Sequence, residues 1–145
     1  MPRRAALTLT IRPALPADEA NTTDLWKACG LVVSYNDPGV DFRFALAGET
    51  SAVLVGTDAA GEINGSVMVG HDGHRGWLYY VAAAPRAQGQ GIGRQMVQAA
   101  EDWLRDRGVW KAQLLVRDTN TQVVSFYEHL GFEISPRVVL SKKLG

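Results

Sequence analysis

Glycines recur at alternate positions in Gln88-Gly89-Gln90-Gly91-Ile92-Gly93-Arg94. Lacking Cβ atoms, such a turn lets several backbone N–H groups converge on one anion. The residues before it, Val81-Ala82-Ala83-Ala84, are apolar and end at Pro85, and the residues after it run into a helical pattern. A strand that passes through a glycine turn into a helix start adds unpaired donors and the positive end of a helix dipole, so a phosphate or pyrophosphate suits this arrangement. Charge agrees, because residues 73 to 100 contain no Asp or Glu but do contain Arg75, Arg86 and Arg94. Arg94 falls in the first helical turn, where a cation opposes the dipole; an anionic ligand would account for it, and so would a solvated surface position.

Two familiar phosphate sites fit poorly. A dinucleotide fingerprint reads GxGxxG, whereas Gly89, Gly91 and Gly93 give GxGxG, with Arg94 where the third glycine belongs. A P-loop needs a Gly-Lys pair followed by Ser or Thr, and no Gly-Lys pair occurs. Other side chains offer less. His71, Asp72 and His74 sit in a turn with no further clustered ligands, so no metal site is expected. Cys29, the only cysteine, is far from the glycine turn in sequence and reads as a small hydrophobe packed in the first helix.

The elements that must position the turn follow from period and punctuation. Leu7, Leu9 and Ile11 alternate with polar residues and predict a first strand. Asp18 or Thr23 can cap a helix through Leu25, Trp26 and Cys29 that stops at Gly30, and Phe42 to Leu46 suggest a second helix. Ala52–Gly56, Ile63–Gly70 and Trp77–Ala84 read as strands joined by turns at Asp58–Gly61 and Asp72-Gly73. From Ile92 the period lengthens, with Ile92, Met96, Ala99, Ala100, Trp103 and Leu104 on one face of an amphipathic helix. Ala112–Val116 is a further strand, Val123 to Leu130 a last helix, and Phe132–Ile134 with Val138–Leu140 closing strands. This order predicts an α/β fold in which helices cover a mixed sheet.

Composition bounds the rest. The 145 residues carry fifteen Lys plus Arg against fifteen Asp plus Glu, and 46% are hydrophobic. That predicts a single domain over residues 1–145, large enough to need no disulfide or metal. Zero net charge argues against a protein that grips nucleic acid or anionic lipid. The longest apolar run, Trp77 to Pro85, is too short to span a bilayer, and threonines interrupt the leucines near the amino terminus as no signal peptide would. With one cysteine, a cytoplasmic setting is expected.

The glycine segment resembles the GNAT superfamily (GCN5-related N-acetyltransferases). The signature of that family is Gln or Arg, two residues, Gly, one residue, then Gly or Ala, and Gln88 to Gly93 match it, with Pro85 three residues ahead. The similarity continues through Val116, Asn120, Phe126, Tyr127, Gly131 and Phe132, and Ile11-Arg12-Pro13-Ala14 with Asp18 is similar to a GNAT start. It departs at Val123, where alanine is usual. Tyr35 to Pro38 and Asp72 to Gly76 are similar to a bacterial YpeA-like subgroup.

The resemblance implies a mostly antiparallel mixed sheet flanked by helices, with the fourth and fifth strands splayed. It implies acetyl-CoA as co-substrate, with Gln88, Gly89, Gln90, Gly91, Ile92, Gly93 and Arg94 on the pyrophosphate. Val81, Ala82 and Ala83 would pair with the pantetheine arm as an added strand would. A backbone N–H of Val81 or Ala82 would face the thioester oxyanion. Asn120 would contact the pantetheine or cap the last helix, and Tyr127 would protonate the departing thiolate. The activity implied is direct transfer of acetyl to a primary amine of a small molecule or protein; the alternative is a catalytically silent acyl-CoA-binding module.

The resemblance implies a carboxylate base early in the fourth strand, but Gly76 to Tyr80 contains none, so Tyr79, His74, Asp72 and Glu49 are the candidate bases. The acceptor is expected against Tyr35 to Arg43 and near Glu49 and His74, where Asp37 and Asp41 would suit a cationic amine. Trp77 and Trp110 could serve a homodimer interface as readily as a core.

Overall fold

Alternation of apolar and polar side chains makes the strands, and their pairing makes one sheet. The computed structural model describes residues 9–145. Strands β1 (Thr10–Pro13), β2 (Ser51–Thr57), β3 (Ile63–His71), β4 (Gly76–Ala83) and β5 (Ala112–Leu114) lie side by side in chain order. The first four pair antiparallel, and β5 joins β4 in parallel. Four α-helices accompany them: α1 (Glu19–Ala28), α2 (Pro38–Ala47), α3 (Ile92–Asp106) and α4 (Thr121–His129). This is the mixed sheet with helices that the sequence predicts, mostly antiparallel as the resemblance implies. The chain divides into two compact units, one to Leu115 that carries the sheet with α1 to α3, and one from Val116 to Gly145 that carries α4.

The long amphipathic helix α3 anchors the turn before it. Ile92, Met96, Val97 and Leu104 are buried along one face, each worth about 1.5–3 kcal/mol relative to exposure. The helix lies hard against β3: a Cβ added to Gly65 would come within 2.6 Å of Ile92 Cγ2. Any side chain there would lift the first turn of α3 off the sheet, and with it the glycine segment.

Two irregularities shape β4. Its ladder with β5 ends at Leu78 opposite Leu114, so from Tyr79 onward β4 is paired to β3 alone among the described residues. The strands thus part where the splayed arrangement expects it. In the ladder with β3, Ser66 pairs with Ala82 but Met68 pairs with Tyr79, so Tyr80 and Val81 together oppose Val67. This is a β-bulge, and Tyr80 sits in it at φ 51°, a left-handed conformation costly for a bulky residue.

Three expectations change. Phe132–Ile134 and Val138–Leu140 form no strands. Each run is only three residues, Pro136 removes a ladder donor between them, and no partner strand lies within their unit. Asp18 precedes α1 without capping it with its side chain; the carboxylate instead accepts from Leu15 N–H at 2.7 Å and from Arg12 at 2.7 and 3.1 Å. The Arg12 guanidinium holds the Asp18 carboxyl below its usual range. The strand expected from Leu7 begins at Thr10, and Leu7 itself lies outside the described residues.

Candidate active site

The turn between β4 and α3 is built for its main chain. A short 3-10 turn, Pro85–Ala87, follows β4, and Gly89 and Gly91 then take φ of +82° and +76°. A Cβ on either would meet nothing within 4 Å, so it is the left-handed backbone, not crowding, that calls for glycine. Gly91 is the N-cap of α3, and the first amide of the helix with a protein partner is that of Gln95, bonded to Gly91 C=O at 3.1 Å. None of the N–H groups from Gly89 to Arg94 has a protein acceptor among the described residues. Six donors and a helix start therefore remain available in a segment without a single carboxylate.

Of the three arginines near this segment, two are engaged. Arg86 reaches Asn64 Oδ1 at 2.5 Å and Glu62 at 3.1 Å, and Arg75 lies 4.9 Å over the Trp110 ring. Arg94 is exposed on the first turn of α3. Of the three, it is the cation left to meet an anion.

The bulge on β4 is held from beneath. Trp26, fully buried on α1, donates its indole N–H to Ser66 Oγ at 2.9 Å, and Ser66 in turn donates to the Tyr80 carbonyl at 3.1 Å. The Tyr80 ring stacks on Trp26 at 3.9 Å and 10°. Its phenol donates to Asp41 Oδ2 at 2.7 Å. Burial first, and then the hydrogen bond to Asp41, push the Tyr80 phenol well above its ordinary value, so it stays a donor. Strain at Tyr80 is thereby fixed at three points.

Beside Tyr80 opens a cleft of about 430 Å³ lined by Leu31, Asn36, Asp41, Phe44, Ala45, Met68, Tyr79 and Tyr80. Of the residues expected around an acceptor, Asn36 and Asp41 face it. Asp37 does not, since its carboxylate caps α2 through Gly39 and Val40 N–H. The other candidate bases differ in fate. Tyr79 lines the cleft, but Asp72 is occupied by the amides of His74 and Arg75, and His74 is exposed in that same turn. Glu49 is exposed between α2 and β2. Cys29 lies closer to β4 than its sequence position suggests: at the C-cap of α1, its thiol donates to Ala83 C=O at 3.2 Å, and burial raises its pKa.

In the second unit, Asn120 is the N-cap residue of α4 without a side-chain capping bond, so capping does not occupy its amide. Tyr127 packs edge-on between Phe126 and Phe132, and burial pushes its phenol up to about 12. It is protonated at any neutral pH.

Comparison with known proteins decides the family. A model described as Acetyltransferase (GNAT) family matches residues 18–132. The chain belongs to that family. Among GNAT relatives by sequence, acetyltransferase SG1711 of Sodalis glossinidius is 40% identical over 119 residues, 82% of this chain and 83% of that protein. Acetyltransferase YE1169 of Yersinia enterocolitica is 35% identical over 136 residues, 94% and 96% of the two chains. The GNAT fold is shared with the aminoglycoside N-acetyltransferase AAC(6')-Iy in complex with CoA, at TM-score 0.81 and 17% identity over 99% of each chain. An aminoglycoside acetyltransferase from a soil metagenome, in complex with sisomicin, gives 0.76 and 16% over 94% and 95%. At these identities the likeness is one of fold.

For a GNAT protein the free amides of residues 89 to 94 are donors that fit a diphosphate, and the unpaired side of β4 from Tyr79 to Ala83 fits an extended amide-bearing arm. Sequence reasoning placed Asp41 near the acceptor but missed Trp26, Ser66 and Tyr80 as its support. One signal was present: the adjacent bulky pair Tyr79-Tyr80 interrupts strand alternation, as a bulge would.

Proposed function

We propose that this chain is an acetyl-CoA-dependent N-acetyltransferase that passes acetyl directly to a primary amine. The observation that carries this reading is the row of unbonded N–H groups from Gly89 to Arg94 at the start of α3. Gln88, Gly89, Gln90, Gly91, Ile92, Gly93 and Arg94 bind the pyrophosphate, and Val81, Ala82 and Ala83 pair with the pantetheine amides. An N–H of Val81 or Ala82 at the bulge stabilises the oxyanion that forms when the amine attacks the thioester carbon. The nitrogen sheds its surplus proton to solvent, the carbon–sulfur bond breaks, and Tyr127 donates to the leaving thiolate, the phenol regaining its proton from solvent. Asn120 contacts the pantetheine. Burial keeps the Tyr127 phenol protonated, so it is available as a hydrogen-bond donor to the developing thiolate; with its pKa pushed up to about 12, full proton transfer comes late, if the sulfur's environment raises the thiol to match. The aminoglycoside acetyltransferase fold neighbours support an amine acceptor.

The second reading, an acyl-CoA-binding module without turnover, draws support from Asp72, whose carboxylate is tied up by its own turn. Calorimetry with CoA and thiol release with an amine panel decide between the two. Micromolar CoA binding with release is expected; binding without release favours the silent module, and no binding rejects both.

A further inference from the structure

Tyr80 joins two ends of one cleft. Its backbone forms the bulge in the β3–β4 ladder, within the stretch of β4 whose other side is unpaired and where the proposed function puts the thioester carbonyl, and its phenol oxygen reaches Asp41 at 2.7 Å. Between those ends the lining is mainly apolar, from Leu31, Phe44, Ala45 and Met68. Among the described residues, Asp41 is the only carboxylate that lines the cleft, and no Lys or Arg does. A carboxylate has room for about four hydrogen bonds. Tyr80 supplies one, and no other side chain among the described residues donates to it.

A cation would be drawn to that carboxylate, but the reacting amine gains nothing there. Pairing with Asp41 would hold an amine in its charged, non-nucleophilic form, and Asp41 stands a full tyrosine side chain away from the bulge. The group it suits is a second, non-reacting head. We propose that Asp41 recognises such a head, so that the acceptor is a small diamine whose apolar spacer lies along the Tyr80 ring. The tyrosine sets the spacing at about four to five methylenes, on ordinary bond lengths. The inference rests on the N-acetyltransferase reading of the same site.

The test uses the full chain with acetyl-CoA, diaminoalkanes of two to six methylenes and the matching monoamines. The diamines should peak at four or five methylenes, with kcat/KM about tenfold above the monoamine of equal length, the scale of one charged hydrogen bond. Asp41→Asn should bring the two series within about twofold of each other. Tyr80→Phe, which keeps the ring stack on Trp26, should leave the preference for diamines standing. Calorimetry of each diamine on the CoA-loaded protein gives the same ranking without needing turnover. Equal handling of mono- and diamines by the wild type, a preference that survives Asp41→Asn, or no diamine binding to the CoA-loaded protein overturns the inference. Loss of CoA binding itself rejects the underlying activity instead.

Discussion

The turn after β4 presents main chain, whereas the cleft beside Tyr80 presents side chains. In the turn, two left-handed glycines and a helix start leave six amides free, and all of this arises within seven consecutive residues. In the cleft, Leu31, Asp41, Met68 and Tyr80 come from α2, two strands and a connecting loop. A main-chain site is insensitive to most side chains but intolerant of a change in backbone conformation. A side-chain site depends on a few distant atoms and can be tuned one residue at a time.

Substitutions that keep to one region sharpen this contrast. The largest effect is expected from Gly91→Val, which forces a β-branched residue into φ +76°: CoA affinity by calorimetry should fall about 100-fold or more while the amine ranking is unchanged. A fall in amine selectivity instead would break the separation of the two sites. Tyr127→Phe lies outside both regions and should lower kcat about 100-fold with CoA affinity within twofold. Equal loss of kcat and affinity would remove its role as proton donor.

Ser66→Ala acts on the cleft side alone. It strips Trp26 of its buried acceptor and frees the strained Tyr80 carbonyl, so thermal unfolding should shift by about 1–3 kcal/mol and kcat/KM should drop about tenfold, with CoA affinity kept. A stable variant with full activity would mean that the bulge needs no such support. The smallest effect concerns alkali. The unfolded chain ionises its phenols from about pH 10, while folded Tyr80 and Tyr127 hold their protons to higher pH. The unfolded state therefore loses protons first, and stability declines as pH rises beyond 10. Thermal melts of Tyr80→Phe between pH 8 and 11 should decline less steeply than those of the wild type.

Much of the fold was legible because it is periodic. The face of α3 through Ile92, Met96, Ala100 and Leu104 repeats at helical spacing, and β2, β3 and β4 fall within a residue or two of their apolar runs. The two closing strands were not legible, since Phe132–Ile134 and Val138–Leu140 have strand-like composition but a ladder requires a partner that composition does not encode. Of the acceptor side, Asp37 and Asp41 looked alike in sequence. Asp37 caps a helix and Asp41 faces a cleft, a difference made by where α2 begins.

The order of residues alone determined the glycine turn, because φ preferences and free helix-start amides are local properties that seven residues carry with them. It also determined the family, through that spacing and its downstream companions. Only the tertiary structure decided that Trp26, Ser66, Tyr80 and Asp41 form one connected support. Hydrogen bonds across separations of 40, 14 and 39 residues exist only once the sheet and its helices have packed.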